Sequence, residues 1–179
     1  MKTSIPVWQM LGFIFTAVLG TLLHFLFDWT GGSVVAAPFS AVNESIWEHM
    51  KLLFYPMAVF SCLEYRAWGR KTQGFWRVKL AGLFAGLAMI PVLYYTYTGA
   101  LGVEADWFNI AIFFLTAAAV LRTETKFLLQ GKTTDLRTGI AAALLCITAV
   151  VFTVWTFSPP EIPLFRDPVS GAYGFQPGS

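Results

Sequence analysis

The chain has 179 residues, of which 56% are hydrophobic, 17% are aromatic and only 12% are charged, and its formal net charge is +2. Soluble domains carry about twice this share of charged residues, and a soluble protein of this length could not bury so much apolar surface. The composition therefore excludes a soluble enzyme, a disordered chain and a disulfide scaffold. It predicts a multi-pass membrane protein whose surroundings are the lipid bilayer, and the small net charge gives no reason to expect nucleic acid as a partner.

Five apolar segments are long enough to cross about 30 Å of hydrocarbon as helices, which takes about 20 residues each. They cover residues 6–29, 45–68, 75–98, 105–122 and 136–157. Backbone groups in lipid must bond within their own segment, and such long unbroken runs achieve this only as helices. The predicted fold is an all-α polytopic membrane bundle with five transmembrane helices in residues 1–157, followed by an extracytoplasmic Pro/Gly-rich tail in residues 158–179.

The positive charges indicate an orientation for this bundle. Ten of the 12 Lys and Arg residues lie at the N-terminus or in the second and fourth connections together with the adjoining segment ends, whereas the first and third connections contain none. The ten are Lys2, Arg66, Arg70, Lys71, Arg77, Lys79, Arg122, Lys126, Lys132 and Arg137. Because positive residues are retained on the cytoplasmic side, we predict that the N-terminus lies inside and the tail outside. The tail carries Leu164, Phe165 and Tyr173, so we expect it to cap the outer face, with Arg166 reaching a carboxylate there. A disordered end is the alternative.

Ionisable residues cluster at the predicted outer ends of the helices, and such residues within spans are functional candidates by default. His24 and Asp28 lie one turn apart on the first helix, and Glu44, Glu48 and Lys51 share one stripe near the start of the second. We predict an outward-facing pocket. Its ligand-binding residues are His24, Asp28, Asn43, Glu44, Glu48, His49, Lys51, Asp106 and Arg166.

Two features in these segments have structural explanations. Ser45 and Glu48 have the spacing of a helix-capping box, in which the serine caps the helix and the glutamate folds back. Glu64 lies beside Arg66 near the other end of the second helix, and we interpret the two as an interfacial ion pair.

Histidine and carboxylate side chains together indicate zinc or another divalent ion. The candidate metal ligands are His24, Asp28, Glu48 and His49. The same groups could transfer protons, and two histidines could instead ligate haem. Our first hypothesis is a pocket that binds a cation or small polar ligand, with transport as one use. The alternatives are a membrane-embedded hydrolase of lipid-like substrates, either metal-dependent or with Ser40 or Ser45 as nucleophile, and an assembly subunit with a membrane-protein partner. No catalytic residue is assigned.

Two stretches are long enough to be specific: residues 42–52 read VNESIWEHMKL and residues 162–174 read IPLFRDPVSGAYG. They resemble the signature stretches V-N-E-S-x-W-E-H-x-K-L and I-P-L-F-R-D-P-V-x-G-x-Y-G of a family of small, uncharacterised bacterial multi-pass membrane proteins. Ala41 stands where members of that family have a proline. The resemblance spans the whole chain and implies a place in the bacterial cytoplasmic membrane, and it implies no activity.

Overall fold

A computed structural model describes residues 4–131 and 133–176, and within these residues the chain is all-α without a strand, as predicted. The long helices are α1 (Ile5–Trp29), α2 (Ile46–Ala67), α3 (Phe75–Leu101), α4 (Asp106–Gln130) and α5 (Thr138–Phe157). Two short 3-10 helices, Gly69–Lys71 and Pro163–Phe165, lie in the second connection and in the tail.

Three of these helices, α1, α3 and α5, are long and apolar enough to cross a membrane, which indicates a membrane protein. The prediction of five such segments is thus met by three of the described helices. α2 and α4 are not among them, and each carries four charged residues along its length. The side chains of Glu48, Lys51, Glu64 and Glu124 are nevertheless almost fully buried inside the bundle.

α1 to α4 form a ring in which each helix contacts the next and α4 closes against α1. α5 lies outside the ring, against α2 and α3. The core between them is built from fully buried apolar side chains such as Leu53, Phe54, Ala117 and Phe152. α4 runs to Gln130, beyond the predicted end of the span at residue 122. The sequence predicts residues 122–130 as an extension along the membrane surface, but Glu124 and Leu128 are buried against the ring.

Successive ring helices run in opposite directions, so each end of the ring combines the starts of two helices with the ends of the other two. We call the end where α1 finishes and α2 begins the histidine end, and the other the opposite end. The first connection covers the histidine end, with Ala37 and Ser40 fully buried. The tail packs there as well, because Phe165 contacts Trp47 with 4.7 Å between ring centroids. The Phe175 N–H also donates to the Thr156 carbonyl at 2.7 Å.

Candidate functional site

Three side chains with metal-ligating atoms converge at the histidine end: His24 near the end of α1, Glu44 just before α2, and His49 in the first turn of α2. One ligand atom from each lies within 4.8 Å of the other two. Nε2 of His49 is 3.5 Å, and Nε2 of His24 is 3.9 Å, from the carboxylate oxygens of Glu44. The two imidazole centroids are 5.5 Å apart. All three side chains are partly exposed, so small ions in solution can reach them.

The start of α2 sets the direction in which His49 points. Ser45 is the N-cap residue, as its spacing predicts, and its hydroxyl accepts the Glu48 N–H. The reciprocal half of the capping box differs, because the Glu48 carboxylate accepts the N–H of Val42 instead of that of Ser45. Asn43 supplies the missing acceptor, since its side-chain oxygen bonds the Ser45 N–H at 2.9 Å. The turn that carries both Glu44 and His49 is therefore held by side chain to backbone bonds.

The ring nitrogens of His49 have different partners. Nδ1 is 2.9 Å from the Ser45 carbonyl oxygen. A carbonyl oxygen can only accept, so Nδ1 carries a proton, and in the neutral imidazole Nε2 is then the nitrogen with the lone pair. Metal-binding histidines are oriented in this way, with the second nitrogen donating to a backbone carbonyl or a carboxylate. Nδ1 of His24 is buried and has no hydrogen-bond partner among the described residues.

The tail comes close to Glu44 at Asp167, where the backbone N–H of Glu44 is one of the groups that lower the pKa of the Asp167 carboxyl. Burial acts to raise the pKa of Asp167, but bonds from the Ser170 hydroxyl and from the N–H groups of Val169, Ser170 and Glu44 outweigh it and lower that pKa below its ordinary value. Asp167 is thus ionised at neutral pH. The tail therefore packs beside the segment of chain that carries Glu44.

Glu48 and Lys51 lie at the same end but face away from the histidines. Nζ of Lys51 is 2.5 Å from a Glu48 carboxylate oxygen, and both side chains are almost completely buried. The Lys51 ammonium also donates to the Ala37 carbonyl at 2.9 Å and to the Thr156 hydroxyl at 2.8 Å. The structure therefore places both residues in an ion pair that joins the first connection and α5 to α2, and Glu48 is not in the group formed by His24, Glu44 and His49.

The other predicted ligands lie apart from this group. Asp28 is exposed one turn beyond His24, and Asp106 is exposed in the first turn of α4. Asn43 is engaged with backbone, because its amide nitrogen donates to the Gly174 carbonyl at 3.1 Å. Arg166 is exposed and forms no ion pair within the described part of the chain, so the predicted contact with a carboxylate is not made.

A second polar cluster lies at the opposite end of the bundle, where the sequence pattern does not predict one. It takes one residue from each ring helix, all at most 3% exposed: Gln9, Glu64, Lys79 and Glu124. The Lys79 ammonium pairs with both carboxylates, at 2.6 Å to Glu124. The Gln9 amide donates to Glu64 at 2.8 Å. The predicted surface pair of Glu64 with Arg66 is wrong, because Glu64 points inward while Arg66 is exposed. The available signal was Lys79, which lies between Val78 and Leu80 inside a predicted span.

Comparison with known proteins places the chain in a family without assigning it an activity. No curated protein and no solved structure matches it. A family model described as a family of unknown function, DUF6512, matches residues 1–175. Since that match covers almost the full length, the chain belongs to the DUF6512 family of unknown function.

Proposed function

We propose that this protein crosses the bacterial cytoplasmic membrane five times, with its N-terminus inside, and that its outward-facing histidine end binds a divalent metal ion of the zinc class. The side chains that hold the ion are His24, Glu44 and His49. The proposed function is binding of the cation. A site on the outer side from which the ion can exchange is suited to transport.

The lengths of α2 and α4 support five spans. α2 has 22 residues and α4 has 25, which at 1.5 Å per residue is about 33 to 38 Å, enough for the hydrocarbon layer. Both lie in one ring with α1 and α3. Their interior charges are paired within the bundle, as charged groups at membrane depth usually are. The positive residues of the second and fourth connections support a cytoplasmic N-terminus.

The observation that carries the metal proposal is the convergence of three ligand atoms within 4.8 Å of one another. Zinc bonds to nitrogen and oxygen are about 2.0 to 2.2 Å long, and tetrahedral geometry then separates neighbouring ligand atoms by about 3.4 Å. The Glu44 to His49 distance of 3.5 Å already fits this value, and the His24 to Glu44 distance is 3.9 Å. Small side-chain rotations complete the geometry.

The surroundings of the three ligands support the same proposal. The Nδ1 proton of His49 is held by a backbone carbonyl, which leaves Nε2 available as a ligand. Two histidines and one carboxylate leave a fourth zinc position open to water, as in sites where the metal exchanges ligands. The solvent exposure of Glu44 gives the ion a route to this position.

The same observations favour cation binding over hydrolysis by a serine nucleophile. Ser40 is fully buried, and its hydroxyl donates to the Ala36 carbonyl at 2.8 Å. Ser45 is 1% exposed and its hydroxyl caps α2. Neither hydroxyl faces the imidazole nitrogen that carries a free lone pair, so neither is placed for activation by His49.

The test is a zinc titration of the purified full-length protein in detergent after treatment with a chelator. We expect one Zn²⁺ per chain by elemental analysis and a stabilisation of about 2.7 kcal/mol when free Zn²⁺ is 100 times its dissociation constant. E44Q and H49Q remove one ligand each and should lose both effects.

D28N is the matched control, because Asp28 carries the same charge one turn from His24 but lies outside the three-ligand group. It should still bind one Zn²⁺, with a much smaller loss of affinity than E44Q, because Asp28 acts on His24 only through its charge. Zinc binding by E44Q with unchanged affinity, or equal losses in D28N and E44Q, would refute the proposed ligand set.

A further inference from the structure

Between α3 and α4, at the opposite end of the bundle, lies a cavity of about 400 Å³ that is open on one side. Its walls are mostly small or apolar, with Ala81, Gly82 and Ala85 on α3 and Ala119 on α4. Arg77 lies along its lining and is exposed. The one carboxylate in its lining belongs to Glu124. This cavity is separate from the histidine end and takes no part in the proposed metal site.

The two carboxylate oxygens of Glu124 have different surroundings. Oε2 accepts from the Lys79 ammonium at 2.6 Å. Oε1 is buried and has no hydrogen-bond partner in the described part of the chain. A Cβ atom built on Gly82 would lie 2.5 Å from Oε1, so this oxygen points at the glycine that lines the cavity. Glu124, which is 1% exposed, therefore presents an unused acceptor to the cavity.

The charges around Glu124 do not balance when all are ionised. Glu64 from α2 and Glu124 from α4 are two negative charges, and Lys79 from α3 is the single positive charge that contacts them. The contribution from α1 is Gln9, which is neutral. An uncompensated charge in a buried site is costly. One further positive charge is needed, and the free oxygen of Glu124 is where the cluster can accept it.

We propose that Glu124 Oε1 is a proton-binding site, and that the Glu64–Lys79–Glu124 cluster holds one exchangeable proton that enters and leaves through the cavity between α3 and α4. A proton fits the observations because it supplies the missing positive charge and needs no further ligand atoms from the mostly apolar walls. Exposed Arg77 at the lining does not prevent its entry, whereas it would repel a bulky organic cation.

The test uses a lipophilic carbodiimide on the full-length protein in detergent, followed by peptide mapping by mass spectrometry. Such a reagent modifies a carboxyl group that carries its proton in an apolar site: the proton passes to a reagent nitrogen, the carboxylate oxygen bonds to the central carbon, and rearrangement gives a stable N-acylurea. We expect Glu124 to be the main modified residue, more so as the pH is lowered. The exposed Glu104 should remain unmodified.

Two variants test whether Glu124 carries a proton because of the excess negative charge or only because it is buried. E64Q removes the excess negative charge, so Glu124 stays ionised beside Lys79 and its labelling should fall several-fold at the same pH. A85F fills the cavity without changing any charge and should slow the labelling.

Three outcomes would overturn the proposal. They are absence of label on Glu124 in the wild type, equal labelling of E64Q and wild type, and protection by Na⁺ at constant pH and ionic strength. The last would assign the site to a metal cation. Because the wild-type map identifies the residue directly, the first outcome can be judged even where a variant fails to fold.

Discussion

Replacement of Lys51 by methionine tests how far the histidine end depends on one buried ion pair. Lys51 is 0% exposed, and its ammonium contacts the Glu48 carboxylate at 2.5 Å, the Ala37 carbonyl at 2.9 Å and the Thr156 hydroxyl at 2.8 Å. An ammonium has three hydrogens to donate, and all three are used here. Methionine keeps an unbranched side chain but donates none of them.

The expected cost is large because the Glu48 carboxylate stays buried without its counter-ion. Removing one partner of a buried ion pair costs about 3 to 5 kcal/mol. For a chain of this size, each kcal/mol lowers the melting temperature by about 2 to 4 °C, so K51M should melt about 6 to 20 °C below wild type. The double variant E48Q/K51M removes the unpaired charge, and it should recover a large part of this loss.

Thermal unfolding of the three proteins in the same detergent, followed by tryptophan fluorescence, measures these differences. Folded K51M should still bind Zn²⁺, because neither Lys51 nor Glu48 belongs to the group of His24, Glu44 and His49. A drop in melting temperature of less than about 2 °C for K51M would refute the reasoning. So would a double variant that melts as low as K51M, since Glu48 would then not depend on Lys51.

Three further variants test other parts of the structure. G82A places a methyl group 2.5 Å from Glu124 Oε1, so overpacking should destabilise the protein by about 1 to 3 kcal/mol, and a melting temperature equal to wild type would contradict this placement of Glu124. F165A empties the tail's main buried position, 3% exposed, and should cost about 3 to 5 kcal/mol and speed proteolysis of the tail. If the tail stays resistant, it is not docked through this ring. S170A removes a bond that lowers the pKa of Asp167. The stability from that lowered pKa is present above the unfolded value of about 3.9 and is lost as the pH falls through the folded value. Melting temperatures measured against pH should therefore decline on acidification in wild type and decline less in S170A, and identical profiles would count against the role of Ser170.

The helices could be predicted because each depends on residues close together in the chain. The apolar run of α1 and that of α5 are long enough to indicate a span without reference to any other segment. The start of α2 was predictable for the same reason, since the Ser45 hydroxyl caps the helix by accepting the N–H of Glu48, three residues further along the chain. The sequence predicts that the fourth span ends at residue 122 and continues to residue 130 as an extension along the membrane surface. The structure instead buries Glu124 of this extension, because it pairs with Lys79 on α3.

The residues of the candidate site were likewise only partly predictable from the sequence. The sequence indicates that His24, Glu44 and His49 lie at one end of the helices, because the distance of each residue from its helix end sets its depth. It also suggests Glu48 as a ligand, although Glu48 faces Lys51. Whether Glu48 faces the histidines or Lys51 depends on how α2 is rotated about its own axis. The spacing of residues along a single helix does not give that rotation.

Short stretches of the chain are enough to predict the long apolar helices, the residues at which they begin, and the gathering of ionisable residues near one end. The partners of those residues become known only in the folded bundle: Glu44 lies with the two histidines, Glu48 with Lys51, and Lys79 with two carboxylates from other helices. A contact between helices depends on how each helix is rotated and shifted against its neighbour. Those quantities are set by the packing of whole helix faces, and no short segment of the chain contains them.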